Sequence, residues 1–421
     1  MIKFYFDFHD IFVDSRSAWL NALEELGAPL ESYEAYNRGV SRHIICKRYG
    51  IDYNVLENTY RRLLKPIEKN IIFAQKLSQR VNISLLSAAN KRRLYMDLQK
   101  FNLDSLFEKI YSKEDFITKH EFLVDKSKAY DWVVYFNHSS HDIRQDGNIV
   151  EIPIDFDVDK TLVAGESFDE HAKSKLLYNE LSDYYMHSIT NDTKAEIEFI
   201  NKIMNKDGSN VRYILDCCCG VGRHSYELAK CGYNVYGIDF STRQIENACA
   251  LHGHPNVNYK VMDVRNFAIN KIFDAAICMW TTYNYLSINE ELKMFAKNVW
   301  NHLNENGIFI LDAKNIPALE NKRVYTRSDN TEDGIQIDLL INKKITGCVQ
   351  DSQYLYFITK NSDEKIFYLD NEHVRYYSLE ELCNIIGDFF EVVGVYGDFN
   401  GNKYDTTRSE RFITVLKKRK I

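Results

Sequence analysis

Three carboxylates follow short apolar runs in the second half of the chain. They belong to Asp216, Asp239 and Asp263, and a turn that contains Gly220 and Gly222 follows the first of them. Glycine lacks a Cβ atom, so a ligand can approach the backbone of such a turn closely. A carboxylate at the end of the next strand, about 20 residues further on, can accept hydrogen bonds from both hydroxyls of a ribose. These residue types and spacings therefore predict a binding site for a nucleoside.

The elements around these residues are predicted to alternate between strand and helix. A helix is predicted at 223–230, where Gly232 ends it, and Ser241 is placed to cap another helix. Alternating strands and helices of this length indicate a parallel α/β sheet that binds ligands at the carboxyl ends of its strands. The predicted strands are 211–215, 234–238, 257–261, 273–279 and 307–311.

These motifs together resemble a known family. The run Asp-Cys-Cys-Cys-Gly-Val-Gly at 216–222, with Gly-Ile-Asp-Phe-Ser at 237–241, is similar to the class I S-adenosylmethionine-dependent methyltransferases. Ser225 stands where a dinucleotide motif has its third glycine, which weakens that alternative. The resemblance covers roughly residues 175–421 and implies S-adenosylmethionine as the cofactor. It implies cofactor contacts from Asp216, Cys218, Gly220, Gly222, Asp239, Phe240, Met262, Asp263, Met279 and Tyr184.

Residues 318–376 indicate the substrate class. Strand-like runs at 335–339, 354–358 and 365–369 predict an antiparallel sheet that covers the substrate side. This arrangement is similar to small-molecule methyltransferases, including those that act on amino sugars and natural products. Residues 279–284 lack the Asn/Asp-Pro-Pro-aromatic motif of the nucleic-acid enzymes of this fold. We therefore expect a small-molecule acceptor.

The acceptor side is predicted from residues after the fourth strand and from a segment before the domain. Tyr283 and His187 are the candidate catalytic residues, with His187 as a possible base. For each tyrosine, packing against its own helix is an equally open interpretation, and nitrogen or oxygen as the methyl acceptor is unresolved. The candidate substrate-binding residues are Tyr178, Asn284, Tyr285 and Arg408.

The first 155 residues contain a fainter pattern. Residues 3–15 are predicted to form a strand, a loop and the start of a helix, and they resemble the opening motif of haloacid-dehalogenase-like (HAD) phosphatases. His9 and His138 stand where that family has acids, and the hard Mg²⁺ ion disfavours imidazole ligands. The resemblance implies a helical cap at about 16–80 and a site formed by Asp7, His9, Ser87, Lys119, His138 and Asp142.

Three interpretations of this HAD-like site stay open. The domain is an inactive scaffold for substrate positioning or assembly, or it is an altered phosphatase that keeps Asp7, Ser87 and Lys119. In the third interpretation Asp7, His9, His138 and Asp142 hold a transition metal, since mixed imidazole and carboxylate ligands suit such ions. The predicted set of site residues includes no metal ligand.

Composition excludes several other classes of protein. The 421 residues contain 53 Lys and Arg against 60 Asp and Glu, and the net charge of −7 is unlike that of a protein that binds bulk nucleic acid. No signal peptide is recognisable, and no apolar run approaches the roughly 20 residues of a membrane span. The nine cysteines are an odd number, which favours reduced thiols in the cytoplasm. The oligomeric state is left open.

The predicted fold class is α/β with two Rossmann-like domains. A HAD-like domain is expected over 1–155 and a methyltransferase domain over 165–421, with the antiparallel insertion at about 318–376. The predicted function is S-adenosylmethionine-dependent N- or O-methylation of a small polar metabolite, such as a sugar or a nucleotide-linked intermediate. The alternatives are an altered HAD-type phosphatase, whose methyltransferase half senses the cofactor or acts on the same intermediate, and a regulatory binding protein without chemistry.

Overall fold

The computed structural model divides the chain into two compact units. The first consists of Met1–Val163, Thr331–Asp338 and Tyr356–Tyr368, and the second of Ala164–Asn330, Leu339–Leu355 and Leu369–Ile421. The residues described are 2–38, 40–138, 143–154, 156, 162–163, 178–179, 181–183, 193–206, 210–330, 334–360 and 364–420.

A six-stranded sheet forms the centre of the first unit. Its strands are β1 (Ile2–Phe6), β2 (Ile83–Leu86), β3 (Lys109–Tyr111), β4 (Trp132–Asn137), β5 (Arg144–Asp146) and β6 (Ile149–Pro153). They lie in the order β3-β2-β1-β4-β6-β5, and only β5 pairs antiparallel to its neighbour. Every residue of β1, β2 and β4 is buried, as expected for parallel strands with both faces covered.

Seven helices are described in the first unit. They are α1 (Ser15–Glu25), α2 (Leu30–Asn37), α3 (Arg42–Tyr49), α4 (Tyr53–Leu63), α5 (Glu68–Ser78), α6 (Lys91–Lys100) and α7 (Lys119–Ser127). Helices α1 to α4 pack on one another, whereas α5 packs on β2 and α7 on β4 and β6. Side-chain caps begin several of these helices, as in α4, where Asp52 accepts from the backbone of Asn54 and Val55.

A seven-stranded sheet forms the centre of the second unit. Its strands are β8 (Tyr213–Cys217), β9 (Asn234–Asp239), β10 (Val257–Val261), β11 (Phe273–Cys278), β12 (Leu303–Lys314), β17 (Phe390–Tyr396) and β18 (Arg411–Lys418). The order is β10-β9-β8-β11-β12-β18-β17, parallel through β12 and antiparallel at β18 and β17. The predicted parallel α/β sheet is confirmed. Strand β8 begins and ends two residues later than predicted, so that Asp216 lies within it.

Five helices are described in the second unit: α8 (Lys194–Met204), α9 (Arg223–Lys230), α10 (Thr242–Leu251), α11 (Asn289–His302) and α12 (Leu379–Ile386). Helix α9 has its predicted bounds. Ser241 accepts from the backbone of Gln244 at the start of α10, which confirms the predicted cap. Ser378 and Glu381 form a capping box at the start of α12.

The inserted segment contains four long strands. They are β13 (Lys322–Asn330), β14 (Ile335–Thr346), β15 (Val349–Lys360) and β16 (Glu364–Arg375), followed in the sheet by the short β7 (Leu162–Val163). Two residues connect β14 to β15, and so short a connection requires antiparallel neighbours. Each predicted run lies inside one of the longer strands β14 to β16, and the sequence did not predict β13.

Part of this insertion belongs to the first unit, whereas the sequence placed all of it in the methyltransferase half. Residues 331–338 and 356–368 are compact with the first sheet. The rings of Phe73 and Phe367 lie 5.3 Å apart, as do those of Phe357 and Phe367. Phe136 and Phe156 complete this aromatic cluster. The cluster joins segments that are distant in sequence, so a single boundary near residue 155 does not describe the unit.

Candidate active site

A cavity of about 350 Å³ lies in the second unit at the carboxyl ends of β8, β9, β10 and β11. Its position is the one that ligands take in parallel α/β sheets. The residues predicted from the sequence that line it are Tyr178, Asp216, Cys218, Gly220, Asp239, Phe240, Asp263, Met279 and Tyr285. The nucleoside-site pattern is therefore assembled around one cavity.

The glycine turn after β8 is fixed by hydrogen bonds and by close packing. The Gly220 N–H donates to Asp239 Oδ2 over 2.9 Å, and the Ser241 N–H donates to Asp239 Oδ1 over the same distance. Gly222 has φ +80°, and a Cβ atom there would lie 2.3 Å from the Tyr259 hydroxyl. Gly222 is thus required by backbone conformation and by space, although it does not itself line the cavity.

Asp216 is the buried acid at the base of the cavity. Its Oδ2 accepts a hydrogen bond from the Ser225 hydroxyl over 2.6 Å. Burial, the largest influence, raises the pKa of this carboxyl to about 6. Ser225, which departs from the dinucleotide motif, therefore serves as the partner of a buried carboxyl group.

The cavity also contains an unpaired polar group. Gln244 is buried, and its Nε2 atom has no hydrogen-bond partner among the residues that the structure describes. Asp263 also lines the cavity. The Arg265 guanidinium donates to its carboxylate and pairs with Glu291 over 2.6 Å. The orphaned amide donor of Gln244 and the Asp239 carboxylate, each oxygen of which accepts one backbone N–H, fit a ligand with both hydroxyls and acceptor atoms, such as a nucleoside.

Trp280 forms part of the wall next to β11. Both Trp280 and Thr281 have positive φ values, of 63° and 64°, which are strained for residues with side chains. The Trp280 indole N–H donates to Glu196 Oε2 over 3.0 Å, and that carboxylate also lies 2.5 Å from His224 Nε2. The sequence did not predict Trp280, Glu196 or His224 as site residues, although Trp280 lies in the segment 279–284 that follows the fourth predicted strand.

A hydrogen-bond network lies behind Tyr285 on another wall. The Tyr285 hydroxyl donates to the Glu372 carboxylate and lies 2.9 Å from the Tyr178 hydroxyl. Tyr354 and Gln350 also donate to Glu372, over 2.8 and 2.9 Å. Glu372 is buried and comes from β16, 87 residues from Tyr285. No local motif marks Glu372, and the sequence did not predict it.

The structure contradicts two assignments next to Tyr285. Tyr283 and Asn284 are fully buried, and neither lines the cavity. The short 3₁₀ helix Thr282–Tyr285 turns Tyr283 into the core, where its ring stacks on that of Tyr377. The Asn284 side chain donates to the carbonyl of Arg375 over 2.7 Å. Both side chains are structural in this arrangement.

Two further assignments do not line the cavity, Met262 and Arg408. Met262 is partly buried and packs against the apolar core of the sheet. Arg408 is exposed in a turn whose backbone N–H bonds to Asp405. Tyr184 and His187 lie outside the described residues.

The polar residues predicted in the first unit fall into separate pairs. Asp7 follows β1, and its Oδ2 lies 2.5 Å from the Lys119 ammonium. His9 is 3.9 Å from Asp97 and His138 is 3.8 Å from Asp10. Ser87 is buried at the end of β2, and Asp142 lies outside the described residues. Within the described ranges, no three His, Cys, Asp or Glu side chains are placed to hold a metal ion.

Comparison with known proteins identifies the chemistry of the second unit. Residues 214–307, which carry the glycine turn and the three acids, match the family model described as a methyltransferase domain. This domain is an S-adenosylmethionine-dependent methyltransferase. Glu372 and the other residues behind Tyr285 lie outside the matched range.

Three curated relatives of the methyltransferase differ in coverage. Glycine/sarcosine N-methyltransferase of Aphanothece halophytica is 23% identical over 245 residues, 57% of this chain and 86% of the relative. Ubiquinone biosynthesis O-methyltransferase of Rickettsia canadensis is 32% identical over 104 residues, 24% of this chain and 42% of the relative. The dTDP-4-amino-2,3,4,6-tetradeoxy-D-glucose N,N-dimethyltransferase of Saccharopolyspora spinosa is 24% identical over 148 residues, which are 34% of this chain and 59% of the relative. None of the helices described in the methyltransferase or in the first unit is long and apolar enough to cross a membrane.

Proposed function

We propose that the protein transfers a methyl group from S-adenosylmethionine to the amine nitrogen of a small polar metabolite, such as an amino sugar or a nucleotide-linked intermediate. The observation that carries this proposal is the pairing of Tyr285 with the buried Glu372 at the cavity wall. The names of two of the three relatives above describe N-methylation, and the third describes O-methylation. These names support an amine acceptor, and they include both nitrogen and oxygen as methyl acceptors.

The cofactor supplies an electrophilic methyl group on sulfur, and the residues of the chain must align the acceptor with it and exclude water. We assign the nucleoside to Asp239, Asp263, Gly220 and Gln244, because these groups supply hydrogen-bond acceptors and donors at the mouth of the sheet. We assign the methionine end to Asp216, whose carboxylate attracts an ammonium group.

The chemistry of Tyr285 favours nitrogen over oxygen. Burial, and next the negative charge of Glu372, raise the pKa of the Tyr285 phenol well above its ordinary value. The phenol therefore stays protonated and cannot serve as the base that a hydroxyl acceptor needs. A neutral amine already carries the lone pair that attacks the methyl group. The Tyr285 oxygen, with its proton directed to Glu372, can accept a hydrogen bond from the amine N–H and orient that lone pair.

We also propose that the first unit is HAD-like and positions the substrate or mediates assembly. Three observations support this: the strand order of its sheet, Asp7 at the end of the central strand, and the ion pair of Asp7 with Lys119. His9 and His138 in place of acids support an inactive scaffold in preference to a magnesium phosphatase. The second candidate, an altered phosphatase that keeps Asp7, Ser87 and Lys119, rests on the same ion pair. We assign the protein to the cytoplasm.

Isothermal titration with S-adenosylhomocysteine tests the cofactor site, and a release assay for S-adenosylhomocysteine over matched amines and alcohols tests the acceptor. We expect turnover with amines, and we expect Tyr285→Phe to lose most of it while its S-adenosylhomocysteine affinity stays unchanged. Tyr354→Phe is the matched control, because Tyr354 also bonds to Glu372 but does not line the cavity. Turnover of alcohols alone would overturn the assignment to nitrogen. Phosphatase activity that Asp7→Asn abolishes would favour the second candidate for the first unit.

A further inference from the structure

A second group of polar side chains, some buried and some half-buried, lies in the first unit, where the end of β1 meets α1, α4 and α6. We call it the arginine cluster, and it consists of His9, Trp19, Arg61, Arg93 and Asp97. Six of its side-chain atoms are buried and have no hydrogen-bond partner within the ranges that the structure describes: His9 Nε2, Trp19 Nε1, Arg61 Nε, Arg93 Nε and Nη2, and Asp97 Oδ2.

The charged groups of the arginine cluster stand too far apart to bond with one another. Asp97 Oδ2 is 3.9 Å from both His9 Nε2 and Arg93 Nε, and Asp97 Oδ1 is 3.8 Å from Arg61 Nε. Hydrogen bonds between such atoms span about 2.7–3.2 Å. A buried polar group without a partner loses its hydrogen bonds to water and gains none in return, so native proteins keep very few of them. So many in one place indicate that another molecule completes the bonding.

Donors outnumber acceptors among these atoms. Trp19 Nε1, Arg61 Nε and the two Arg93 nitrogens can only donate hydrogen bonds, whereas Asp97 Oδ2 is the one atom of the six that only accepts when it is ionised. A water molecule donates as many hydrogen bonds as it accepts, so water alone would leave the excess of donors in place. A bound group that only accepts hydrogen bonds provides partners for these excess donors.

The charges of the neighbouring groups point to an anion as well. Arg42 bonds to Glu57 over 2.8 Å and Lys119 bonds to Asp7 over 2.5 Å, so these two cations are already neutralised. Arg93 Nε also lies 3.9 Å from Glu57 Oε2, so the three guanidinium groups of Arg42, Arg61 and Arg93 face the two carboxylates of Glu57 and Asp97, which leaves one positive charge in excess. Burial, and next the positive charges of Arg93 and Arg42, lower the pKa of His9 well below its ordinary value. The arginine cluster therefore has a positive potential.

The positions of the aromatic rings keep the guanidinium groups in place. The Arg42 guanidinium lies 4.2 Å from the centre of the Trp19 ring, and the Arg93 guanidinium lies 4.9 Å from the centre of the Tyr60 ring. Trp19 and Tyr60 are fully buried, so both ring faces are packed inside the unit. Planar guanidinium groups held in this way suit the oxygen atoms of a phosphate or a carboxylate.

We propose that the arginine cluster is a binding site for the oxyanion group, phosphate or carboxylate, of a small metabolite. Arg61 and Arg93 neutralise the oxyanion, and the Trp19 indole N–H donates to it. The site is in the first unit and is distinct from the methyltransferase cavity, so the proposal does not depend on the acceptor assigned to that cavity.

Titration of the 421-residue protein with inorganic phosphate and, separately, with acetate tests this site at constant ionic strength. Trp19 emission and the thermal midpoint are the two signals. We expect saturable binding of at least one anion, weakened about tenfold or more in Arg93→Gln and Arg61→Gln, which corresponds to about 1.4 kcal/mol or more. Arg62→Gln is the control, because Arg62 follows Arg61 on α4 but is exposed and pairs with Glu25. Phosphate and acetate together distinguish the two sources of the oxyanion.

Trp19→Phe keeps the ring and removes the N–H group, so we expect it to abolish the emission change and to weaken binding several-fold. Circular dichroism and S-adenosylhomocysteine affinity, measured on the same samples, show whether each variant is folded and whether the methyltransferase cavity is intact. Absence of saturable binding by either anion, or equal binding by wild type, Arg93→Gln and Trp19→Phe, would overturn the proposal. Both outcomes can be distinguished from a failure of the methyltransferase to bind its cofactor, because S-adenosylhomocysteine affinity is measured on the same samples.

Discussion

The backbone N–H of Gly220 donates a hydrogen bond of 2.9 Å to the carboxylate of Asp239, 19 residues further along the chain. This bond connects the end of β9 to the glycine turn after β8, so one acid both shapes the turn and lines the cavity. A second backbone donor, the N–H of Ser241, holds the other oxygen of the same carboxylate. The orientation of Asp239 toward the nucleoside is therefore set before any ligand binds.

Asp239→Asn should weaken binding of S-adenosylhomocysteine by about 10–100-fold, because hydrogen bonds to a charged group contribute about 1.5–3 kcal/mol. The amide also presents one donor nitrogen where the carboxylate accepts from a backbone N–H. Isothermal titration measures the change. The matched control is Asp388→Asn, since Asp388 is exposed and pairs with Lys293 away from the cavity. Equal affinities in wild type and Asp239→Asn would contradict the assigned role.

Gly222→Ala should destabilise the protein more than the same change at Gly232. Both glycines have positive φ, 80° and 97°, but only at Gly222 does an added Cβ meet the Tyr259 ring. Backbone strain alone costs about 1–2 kcal/mol, and overpacking adds about 1–3 kcal/mol. Urea denaturation of the two variants separates the contributions, since Gly232→Ala introduces strain without a clash. An equal loss of stability in both variants would show that Tyr259 yields to the methyl group.

Affinity for S-adenosylhomocysteine should fall as the pH drops through about 6. Burial raises the pKa of Asp216 to about 6, so its carboxylate is ionised above that pH and neutral below it. If Asp216 faces the ammonium of the methionine end, affinity falls by up to about tenfold per pH unit below the pKa. Titrations between pH 5 and pH 8 measure this slope, which Asp216→Asn should remove. A slope that persists in Asp216→Asn would assign the titration to another group.

The stability of the unliganded protein should respond to Asp216 in the opposite direction. An acid whose pKa is raised in the folded state binds its proton more tightly there than in the unfolded chain. Its stabilising contribution is therefore complete below the unfolded pKa, about 3.8, and is lost as the pH rises through about 6. Comparing the pH dependence of urea denaturation in wild type and Asp216→Asn isolates this contribution. Stability that rises with pH in the difference between the two proteins would contradict it.

The cofactor side of the cavity could be predicted from the sequence because its determinants are local. Asp216, Gly220 and Asp239 lie within 24 residues, and short strands and turns place them at one sheet edge. The acceptor side depends on contacts between distant segments. Glu372 reaches Tyr285 only through the fold of the insertion, and the aromatic cluster around Phe73 and Phe367 decides which unit part of that insertion joins. Such pairings have no periodicity that a single sequence displays.

The sequence predicts a catalytic role for Tyr283 and a substrate-binding role for Tyr285, and one substitution in each should test these roles. The Tyr283 hydroxyl is buried and has no hydrogen-bond partner in the part of the chain that the structure describes. Removing it in Tyr283→Phe should leave methyl transfer unchanged and stabilise the protein by about 1 kcal/mol, since an unsatisfied buried group is lost. Tyr285→Phe removes a hydroxyl that lines the cavity and donates to the buried Glu372, so it should lower kcat and also destabilise the protein by about 1–3 kcal/mol, because Glu372 loses a donor. Urea denaturation and the S-adenosylhomocysteine release assay measure both properties. Loss of transfer in Tyr283→Phe, with Tyr285→Phe active, would return the catalytic role to Tyr283.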